Sequence, residues 1–364
     1  MSSAHSADDI RIFQKECRTL AKSGYEVVFI SQSSSSKKVD GVHIQPARRA
    51  RSRLERFTLT LGHVLRLALR ENADIYHLHG PDLLLVGLLL RLKGKRVIYD
   101  VHEDFSTEIL TKHWIPVLLR KPVARVTRAV ENLAAQVCDG VIAATPTIAS
   151  AFPQSKTTVV RNFPRIEEFS TESQTPYSAR PMRAVYVGSI TDVRCIREIV
   201  SAIGLIPDSY QARLVLAGKF EPPELQEEVS ALQGWSKVDF LGWKDRKEIS
   251  QLLCSSRLGL VIFAPTGNHI RAEPNKLFEY MAAGLPVVAS NFPYWQEIID
   301  STKAGITVDP ASPEQISNAI KWLFEHPAEA EEMGRNGARA IRSIYNWDSE
   351  ARKLIEAYSA IAKR

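Results

Sequence analysis

The sequence is poor in cysteine, and no two of its cysteines are close together. Cys17, Cys138, Cys195 and Cys254 are the four among 364 residues, and their wide spacing argues against a zinc knuckle and a disulfide framework. We therefore expect reduced, buried thiols. No Gly-x-Gly-x-x-Gly pattern follows a predicted strand, which argues against a nicotinamide-dependent dehydrogenase.

Long apolar runs are also absent. The longest, Leu83 to Leu90, ends at Arg91 and is far shorter than the roughly 20 residues of a membrane-spanning helix. We interpret it as a buried helix. Residues 1–11 are polar and lack the basic start and apolar segment of a secretory signal. These absences predict a cytoplasmic protein.

The size and charge of the chain set further bounds. A chain of this length exceeds the size at which one hydrophobic core stops growing, so we expect two domains. The net charge of +6 favours an anionic partner without choosing its class. Two basic clusters lie in the first half: Arg48, Arg49, Arg51, Arg53 and Arg56, then Lys112, Arg120, Lys121, Arg125 and Arg128.

Short β-branched runs alternate with longer helical patterns along the chain, which predicts parallel sheets built from βαβ units. In the first half the predicted strands are Tyr25 to Ile30, Ile75 to Leu78, Val97 to Asp100, Val141 to Ala143 and Thr158 to Val160. In the second half they are Ala184 to Val187, Ala212 to Ala217, Val238 to Leu241, Leu258 to Ile262, Pro286 to Ala289 and Gly305 to Val308.

The polar segment Glu167 to Pro181 has no apolar periodicity and is interpreted as a linker. We therefore predict two doubly wound α/β domains, at residues 1–170 and 176–345, with a last helix at 346–364 that completes the first. Open parallel sheets bind ligands at the carboxyl ends of their strands. Two such domains facing a central cleft suit a reaction between two substrates.

The most informative stretch is RAEPNKLFEYMAAGLPVVAS, Arg271 to Ser290. Pro274 and Gly284 predict the start and stop of a short helix. The free amides near Asn275 and Lys276, with the lysine charge, predict a diphosphate site. Glu279, one turn later, is placed to accept hydrogen bonds from ribose hydroxyls. The alternative is a capped amphipathic helix whose glutamate is merely solvated.

Several segments resemble glycosyltransferase family 4. They are PNKLFEYMAAGLPVVAS, YVGSITDVR and LVLAG in the second half, and DIRIFQKECRTLAKSGYEV, YDVHED and the closing NWDSEARKLIEAY. The resemblance spans nearly the whole chain. It implies a GT-B fold of two Rossmann-like domains, a UDP- or GDP-linked sugar donor on the second, and transfer with retention of configuration. It further implies a glycan or lipid-linked acceptor, no nucleic acid, no cofactor and no metal.

The resemblance also assigns donor-side residues. Glu279 matches the glutamate associated with the donor ribose, and Arg194 matches a basic residue that contacts the diphosphate. Arg271 stands where the family has its first glutamate, which suggests an acidic sugar or a phosphate as its ligand. The other matched or neighbouring positions are Gly188, Ser189 in place of a frequent arginine, Glu273 two residues out of register, Glu297, and Lys219 and Lys276 as compensating cations.

In the first domain the resemblance assigns His102 to the donor sugar near the anomeric carbon. A histidine that only caps the next helix is the alternative. Asp9, Arg11, His79 and Glu103 are the acceptor-side candidates. We interpret His77 and His79 as pointing to opposite faces of one strand, with His77 in the core, which makes a shared metal site improbable.

The segment Lys112 to Arg125 places apolar side chains among lysine and arginine residues: Trp114, Ile115, Val117, Leu118 and Leu119. This pattern is typical of peripheral contact with an anionic membrane. A helix packed on its own domain is the alternative, and the resemblance favours the membrane because many family members use lipid-linked acceptors.

Two questions stay open at this point. The family begins with a strand that leads into a loop like Ser3 to Arg11, whereas this sequence starts at the loop, so either the start lies upstream or the first sheet has a gap. A sugar-nucleotide epimerase and a catalytically impaired sugar-nucleotide-binding protein are alternatives to the transferase.

Overall fold

The computed structural model describes residues 1–110, 115–169, 175–267 and 269–363. It divides into unit 1, Met1–Asn162 with Trp347–Arg364, and unit 2, Phe163–Asn346. The boundary therefore precedes the predicted linker, part of which (170–174) lies outside the described residues. Phe163 and Phe169 belong to unit 2 because both are buried in its core, where Phe163 packs on Phe278 with ring centroids 4.8 Å apart.

The strands are numbered in chain order. Those of unit 1 are β1 Val27–Ser31, β2 Lys37–Val39, β3 Val42–Pro46, β4 Ile75–His79, β5 Arg96–Val101, β6 Gly140–Ala143 and β7 Thr157–Val159. Those of unit 2 are β8 Arg183–Val187, β9 Arg213–Ala217, β10 Val238–Gly242, β11 Leu258–Val261, β12 Val287–Ser290 and β13 Gly305–Val308.

The helices follow the same numbering, and two π-helical turns, Ile10–Cys17 and Arg56–Thr60, precede α1 and α3. The first seven are α1 Arg18–Lys22, α2 Arg53–Glu55, α3 Leu61–Glu71, α4 Leu84–Leu92, α5 Phe105–Ile109, α6 Val117–Val137 and α7 Pro146–Ala149. The others are α8 Ile196–Gly204, α9 Leu225–Ser230, α10 Arg246–Cys254, α11 Asn275–Ala282, α12 Pro293–Thr302, α13 Pro313–Glu325, α14 Pro327–Ser343 and α15 Trp347–Ala362.

Unit 1 contains a four-stranded parallel sheet, β4-β5-β6-β7, and a smaller sheet, β1-β3-β2. The β2–β3 hairpin was not predicted, although its turn is an Asp-Gly pair, a strong hairpin signal. Asp40 and Gly41 both have positive φ, 50° and 82°. The N-terminal residues lie between β1 and β4: the Ser2 N–H donates to the Ile30 carbonyl at 2.9 Å, and the His79 N–H donates to the Met1 carbonyl at 3.0 Å.

The last helix, α15, packs within unit 1. The Trp347 indole donates to Thr19 Oγ1 at 2.9 Å, and the Tyr358 hydroxyl hydrogen-bonds His77 Nδ1 at 2.9 Å. Ile361 covers Gly140 so closely that a Cβ there would lie 2.6 Å from its Cδ1. The sheet of unit 1 is thus covered by a helix distant in sequence.

Unit 2 contains one six-stranded parallel sheet in the order β10-β9-β8-β11-β12-β13. Counted from its first strand this is 3-2-1-4-5-6, the doubly wound order that binds nucleotides where the strand order reverses. The reversal lies between β8 and β11. Ligands of unit 2 are therefore expected at the carboxyl ends of these two strands.

Two expectations about apolar residues have different outcomes. All four cysteines are buried and free, as predicted. The Leu83 to Leu90 run is not a fully buried helix, because Leu85, Leu88 and Leu89 are exposed on α4. Across the described ranges, no helix is both long and apolar enough to span a membrane.

Candidate functional site

The carboxyl ends of β8 and β11 part from each other. These strands pair only at Ala184 with Leu258 and at Val185 with Gly259. Beyond that point the Val187 N–H donates to the Tyr280 hydroxyl at 2.9 Å. A Cβ at Gly259 would lie 2.2 Å from the Tyr280 ring, so only glycine lets this ring fit there. The Tyr280 hydroxyl of α11 thus accepts the backbone hydrogen bond that a neighbouring strand would otherwise accept, at the point where the two strands separate.

Two cationic side chains lie at this opening. Arg194 ends a short turn after β8, and its guanidinium carbon is 3.6 Å from the centroid of the Phe263 ring, just beyond β11. Lys276 is the second residue of α11, and its Nζ is 3.4 Å from the Tyr186 hydroxyl and 5.6 Å from the Phe263 centroid. Both cations thus stand on aromatic rings, an arrangement that stabilises positive charge.

Neither of these two side chains is paired with a carboxylate among the residues described. Burial and then the neighbouring Arg194 lower the pKa of Lys276 to about 7. Burial also lowers the pKa of Arg194, whose Nη1 is buried without a hydrogen-bond partner. Burial and Arg194 lower the pKa of His269 to about 4, so that ring is neutral at pH 7. Within the described ranges neither cation forms an ion pair, as expected of a site for an anion.

The N-terminus of α11 adds backbone donors to the same place. Pro274 is its N-cap and supplies no side-chain cap, and Gly284 has a positive φ of 70° just past its end. Among the residues described, the N–H groups of Asn275 and Lys276 have no acceptor. Such free amides at the positive end of a helix dipole favour phosphate oxygens.

Gly188 is required by the position of Lys276. Its φ is +116°, and a Cβ there would lie 2.7 Å from Lys276 Cε and 2.9 Å from Nζ. We expect Gly188→Ala to displace the ammonium group and to weaken binding of UDP at least tenfold, measured by calorimetry. The matched control is Gly267→Ala, where a Cβ meets nothing within 4 Å. Equal UDP affinity in the two variants would contradict this prediction.

Glu279 is held by a residue that the sequence analysis missed. Arg246 Nη1 donates to Glu279 Oε1 at 2.9 Å, and its Nε donates to Glu168 Oε1 at 2.6 Å. Although burial opposes the charge, Glu279 and Glu168 raise the pKa of Arg246 above its ordinary value. The arginine thus orients the Glu279 carboxylate. No sequence signal identifies Arg246, because its partners are distant in the chain.

The side chains of the remaining donor-side candidates form no hydrogen bond or ion pair with Arg194, Lys276 or Glu279 across the ranges that the structure describes. Arg271 is exposed and has no partner among the residues described. Glu273 accepts a hydrogen bond from the Tyr294 hydroxyl at 2.6 Å. Ser189 is exposed, and its carbonyl accepts from the Tyr186 hydroxyl at 2.6 Å. Glu297 is exposed on α12. Their ligand contacts stay predictions.

In unit 1 the carboxyl edge of the sheet carries a buried charge cluster centred on Asp100. Arg11 Nη2 is 3.1 Å from Asp100 Oδ1, Arg11 Nε is 3.0 Å from Glu16 Oε1, and His102 Nε2 is 2.8 Å from Asp100 Oδ2. Although burial opposes ionisation, Arg11 and His102 hold the pKa of Asp100 well below its usual range. Burial and then Asp100 raise the pKa of Glu16 well above its usual range. His102 is thus fixed by a carboxylate and stays partly exposed.

The interpretation of His77 and His79 as facing opposite sides was wrong. Side chains two residues apart on a strand point to the same face, and these rings lie 4.3 Å apart. Together with Glu16 and Asp100 they bring possible metal ligands within 4.8 Å of one another. The Arg11 guanidinium, however, contacts both carboxylates and already supplies the cation, so a metal fits this cluster poorly.

The acceptor-side candidates also differ in placement. Arg11 and His79 are only 5% and 3% exposed, so their side chains serve the cluster inside unit 1. Asp9 caps the first helical turn by accepting from the Ile12 N–H at 2.8 Å. Glu103 is exposed beside His102. Of the four, Glu103 alone has an exposed side chain, and its contact with an acceptor stays a prediction.

Comparison with known families identifies the chain. The family described as glycosyl transferases group 1 matches residues 171–340, and the family described as glycosyltransferase family 4 matches residues 12–163. Together the two matches cover most of both units. The chain belongs to the group 1 glycosyltransferases. These matches confirm the family that the sequence motifs of this glycosyltransferase indicate.

Individual relatives match this glycosyltransferase over part of their length. It is 32% identical to the D-rhamnosyltransferase WbpZ of Pseudomonas aeruginosa over 139 residues, which are 37% of this chain and 35% of WbpZ. The matched region covers 44% and 40% of two other curated relatives. The chain thus spans less than half of the length of these proteins.

Solved structures match over the whole chain. Sucrose-phosphate synthase from Thermosynechococcus elongatus superposes with a TM-score of 0.76 at 18% identity, covering 99% of this chain and 94% of that one. HepE from Anabaena, in complex with UDP-glucose, superposes with a TM-score of 0.72 at 16% identity, covering 94% and 95%. At these identities the likeness shows the fold alone, which is the GT-B fold of two Rossmann-like domains.

Proposed function

We propose that this glycosyltransferase moves a hexose from a UDP- or GDP-linked donor, held by unit 2, to a glycan or lipid-linked acceptor, with retention of configuration. The observation that carries the proposal is the unpaired cation pair Arg194 and Lys276 at the point where the strand order of unit 2 reverses. HepE, which shares the fold, has been crystallised with UDP-glucose. UDP is therefore the first donor nucleotide to test.

The leaving diphosphate is stabilised by groups of unit 2. Its oxygens accept hydrogen bonds from Arg194, from Lys276 and from the free amides of α11. Because these donors are fixed before the substrate arrives, they stabilise the charge that develops as the glycosidic bond to phosphate breaks. Two cations and a helix dipole supply the positive charge, so we propose that transfer needs no metal.

The carboxylate of Glu279 binds the ribose hydroxyls, and Arg246 holds it in place through the hydrogen bond to Oε1. For His102 of unit 1, whose Nε2 is held by Asp100, the family resemblance supports a contact with a sugar substrate. Glu103 contacts the acceptor. An acceptor held at a membrane suits the segment Lys112 to Arg125, of which Lys112 and Trp114 lie outside the described residues.

A thermal-shift screen tests the proposed donor. UDP at about 100 times its dissociation constant stabilises the folded state by about 2.7 kcal/mol, so the transition moves by several degrees. We expect Glu279→Gln to weaken UDP binding about tenfold to a hundredfold, because it removes a charged hydrogen-bond acceptor. Glu227→Gln, at an exposed position of α9 in unit 2, serves as control. A full UDP shift in Glu279→Gln would refute the ribose assignment.

Product analysis separates the transferase from its alternatives. An epimerase converts the nucleotide-sugar without a second substrate. A transferase releases UDP as it transfers the sugar to an acceptor, and releases it more slowly when water takes the place of the acceptor. A protein that only binds the donor yields neither product. Release of UDP that depends on added acceptor is the expected result.

A further inference from the structure

The outward side of α6 carries an apolar stripe. Its members recur at alternating spacings of four and three residues over most of the helix: Leu119, Val123, Val126, Val130, Leu133 and Val137. All are exposed, Val126 by 63% and Leu133 by 64%. The opposite side, with Ala124, Glu131 and Ala135, is buried. The stripe is therefore not part of the core of unit 1.

The neighbouring helix α4 carries a second stripe on the same side. Leu85, Leu88, Leu89 and Leu92 are exposed, Leu92 by 77%. The inward side is so close to the sheet that a Cβ on Gly87 would lie 2.5 Å from Leu78 Cδ1. The two helices meet at their carboxyl ends, where Arg91 Nε of α4 donates to the Val137 carbonyl of α6 at 3.1 Å. We call the joint surface the α4–α6 face.

This face is too large to be incidental. Ten large apolar side chains, each about half exposed, leave an apolar area on the order of 1,000 Å², against about 300–600 Å² for the largest patch of a typical monomer. Such a patch marks a surface that binds a partner.

The charges around the face select the partner. Lys121 and Arg125 on α6, and Lys93 just after α4, are exposed and form no ion pair within the described part of the chain. The nearby carboxylates are committed elsewhere: Asp104 pairs with Arg128 at 2.8 Å, and Asp139 with Arg91 at 3.3 Å. Glu131 is buried and accepts from the Tyr99 hydroxyl at 2.9 Å. The free charge bordering the face is thus positive.

We propose that the α4–α6 face docks on an anionic lipid bilayer, with its valines and leucines among the acyl chains and its cations at the headgroups. A second copy of the chain is a poorer occupant, because the same uncompensated cations would border both copies. The proposal rests on the proposed function only in that a lipid-linked acceptor lies at such a surface. It extends the predicted contact from Lys112 to Arg125 to two whole helices.

Vesicle flotation of the full chain tests the proposal. Vesicles of equal parts phosphatidylglycerol and phosphatidylcholine are compared with pure phosphatidylcholine. The apolar variant is Leu119→Ser, Val126→Ser and Leu133→Ser, and its matched control in unit 2 is Leu205→Ser, Leu241→Ser and Ile344→Ser, all at exposed positions. The charge variant is Lys121→Gln with Arg125→Gln.

We expect the wild type and the matched control to float with anionic vesicles, and binding to neutral vesicles to be at least tenfold weaker. The apolar variant should bind anionic vesicles at least tenfold less, and each lost cation should weaken binding about fivefold. Equal binding by the apolar variant and the control overturns the proposal, and so does a dimer seen by light scattering that only the apolar variant abolishes. The UDP thermal shift of the same variants should be unchanged, so a failure here is separable from a failure of the donor assignment.

Discussion

Lys276→Met is expected to lower kcat/KM for sugar transfer by about a hundredfold to a thousandfold, the effect of removing one fixed donor from a developing oxyanion. It should also weaken UDP binding about tenfold or more. The reason is that Lys276 supplies half of an unpaired cation pair where the strand order of unit 2 reverses. Lys321→Met, an exposed lysine on α13, is the control and should leave both quantities unchanged.

The pH dependence of UDP binding gives an independent readout of the same lysine. Because the pKa of Lys276 is lowered to about 7 in the free protein, binding of the diphosphate above pH 7 requires uptake of a proton. UDP affinity of the wild type should therefore fall as the pH rises from 7 to 9, while that of Lys276→Met stays flat. Parallel slopes for the two proteins would show that another group is responsible.

The same substitution should make unit 2 more stable. The unfolded chain keeps Lys276 protonated up to its ordinary pKa near 10.4, whereas the folded chain releases the proton near 7. Burial of the charged lysine therefore lowers the free energy of unfolding by its full amount below pH 7. This loss of stability becomes smaller as the pH rises towards 10. We expect Lys276→Met to raise the unfolding temperature by a few degrees at pH 6 and by less at pH 9. A lower unfolding temperature at pH 6 would contradict burial as the cause.

Arg11→Met is expected to cost about 3–5 kcal/mol of unfolding free energy, the range for removing one partner of a buried ion pair. Asp100 has no exposed surface, and methionine leaves its carboxylate without the guanidinium and the Val160 carbonyl without a donor. Urea unfolding measures the loss, and hydrogen exchange of β4 and β5 assigns it to unit 1. Arg128→Met breaks a pair in which both side chains are 30% exposed and should cost less than about 1 kcal/mol.

The loss in Arg11→Met should depend on pH in a defined direction. In the wild type the lowered pKa of Asp100 contributes stability that is present above its unfolded pKa and is lost as the pH falls. Without Arg11 the pKa of Asp100 rises, so the carboxylate takes up a proton as the pH falls. The free-energy cost of burying an unpaired carboxylate then disappears in acid. The difference between variant and wild type should therefore shrink as the pH falls from 7 to 4. A difference that is constant over this range would exclude the ion pair as its source.

Much of the fold follows from local sequence patterns. Every predicted strand is present within one or two residues of its predicted bounds, because buried parallel strands are dense in β-branched residues. The helix after Pro274 has the bounds that its proline and Gly284 indicate. The family motifs also predict Glu279, Arg194 and His102 as site residues, and their contacts with substrate stay predictions.

What the sequence could not supply depends on contacts between distant segments. Arg246 reaches Glu279 across 33 positions, and no periodicity reports such a pair. Arg11 was assigned to the acceptor because its loop matches the family, yet tertiary packing turns it towards Asp100. The leucines of α4 have the composition of a core helix, and only the absence of a neighbour on one side leaves them exposed.

The position of helix α15 at the end of the chain determines when unit 1 can be completed during translation. The backbone N–H of Arg161 donates to Glu350 of this helix at 2.9 Å, and Tyr358 meets His77 across 281 positions. A ribosome therefore delivers all of unit 2 before it releases the piece that closes unit 1. The sheet of unit 1 therefore lacks the helix that covers it until the rest of the chain has been translated.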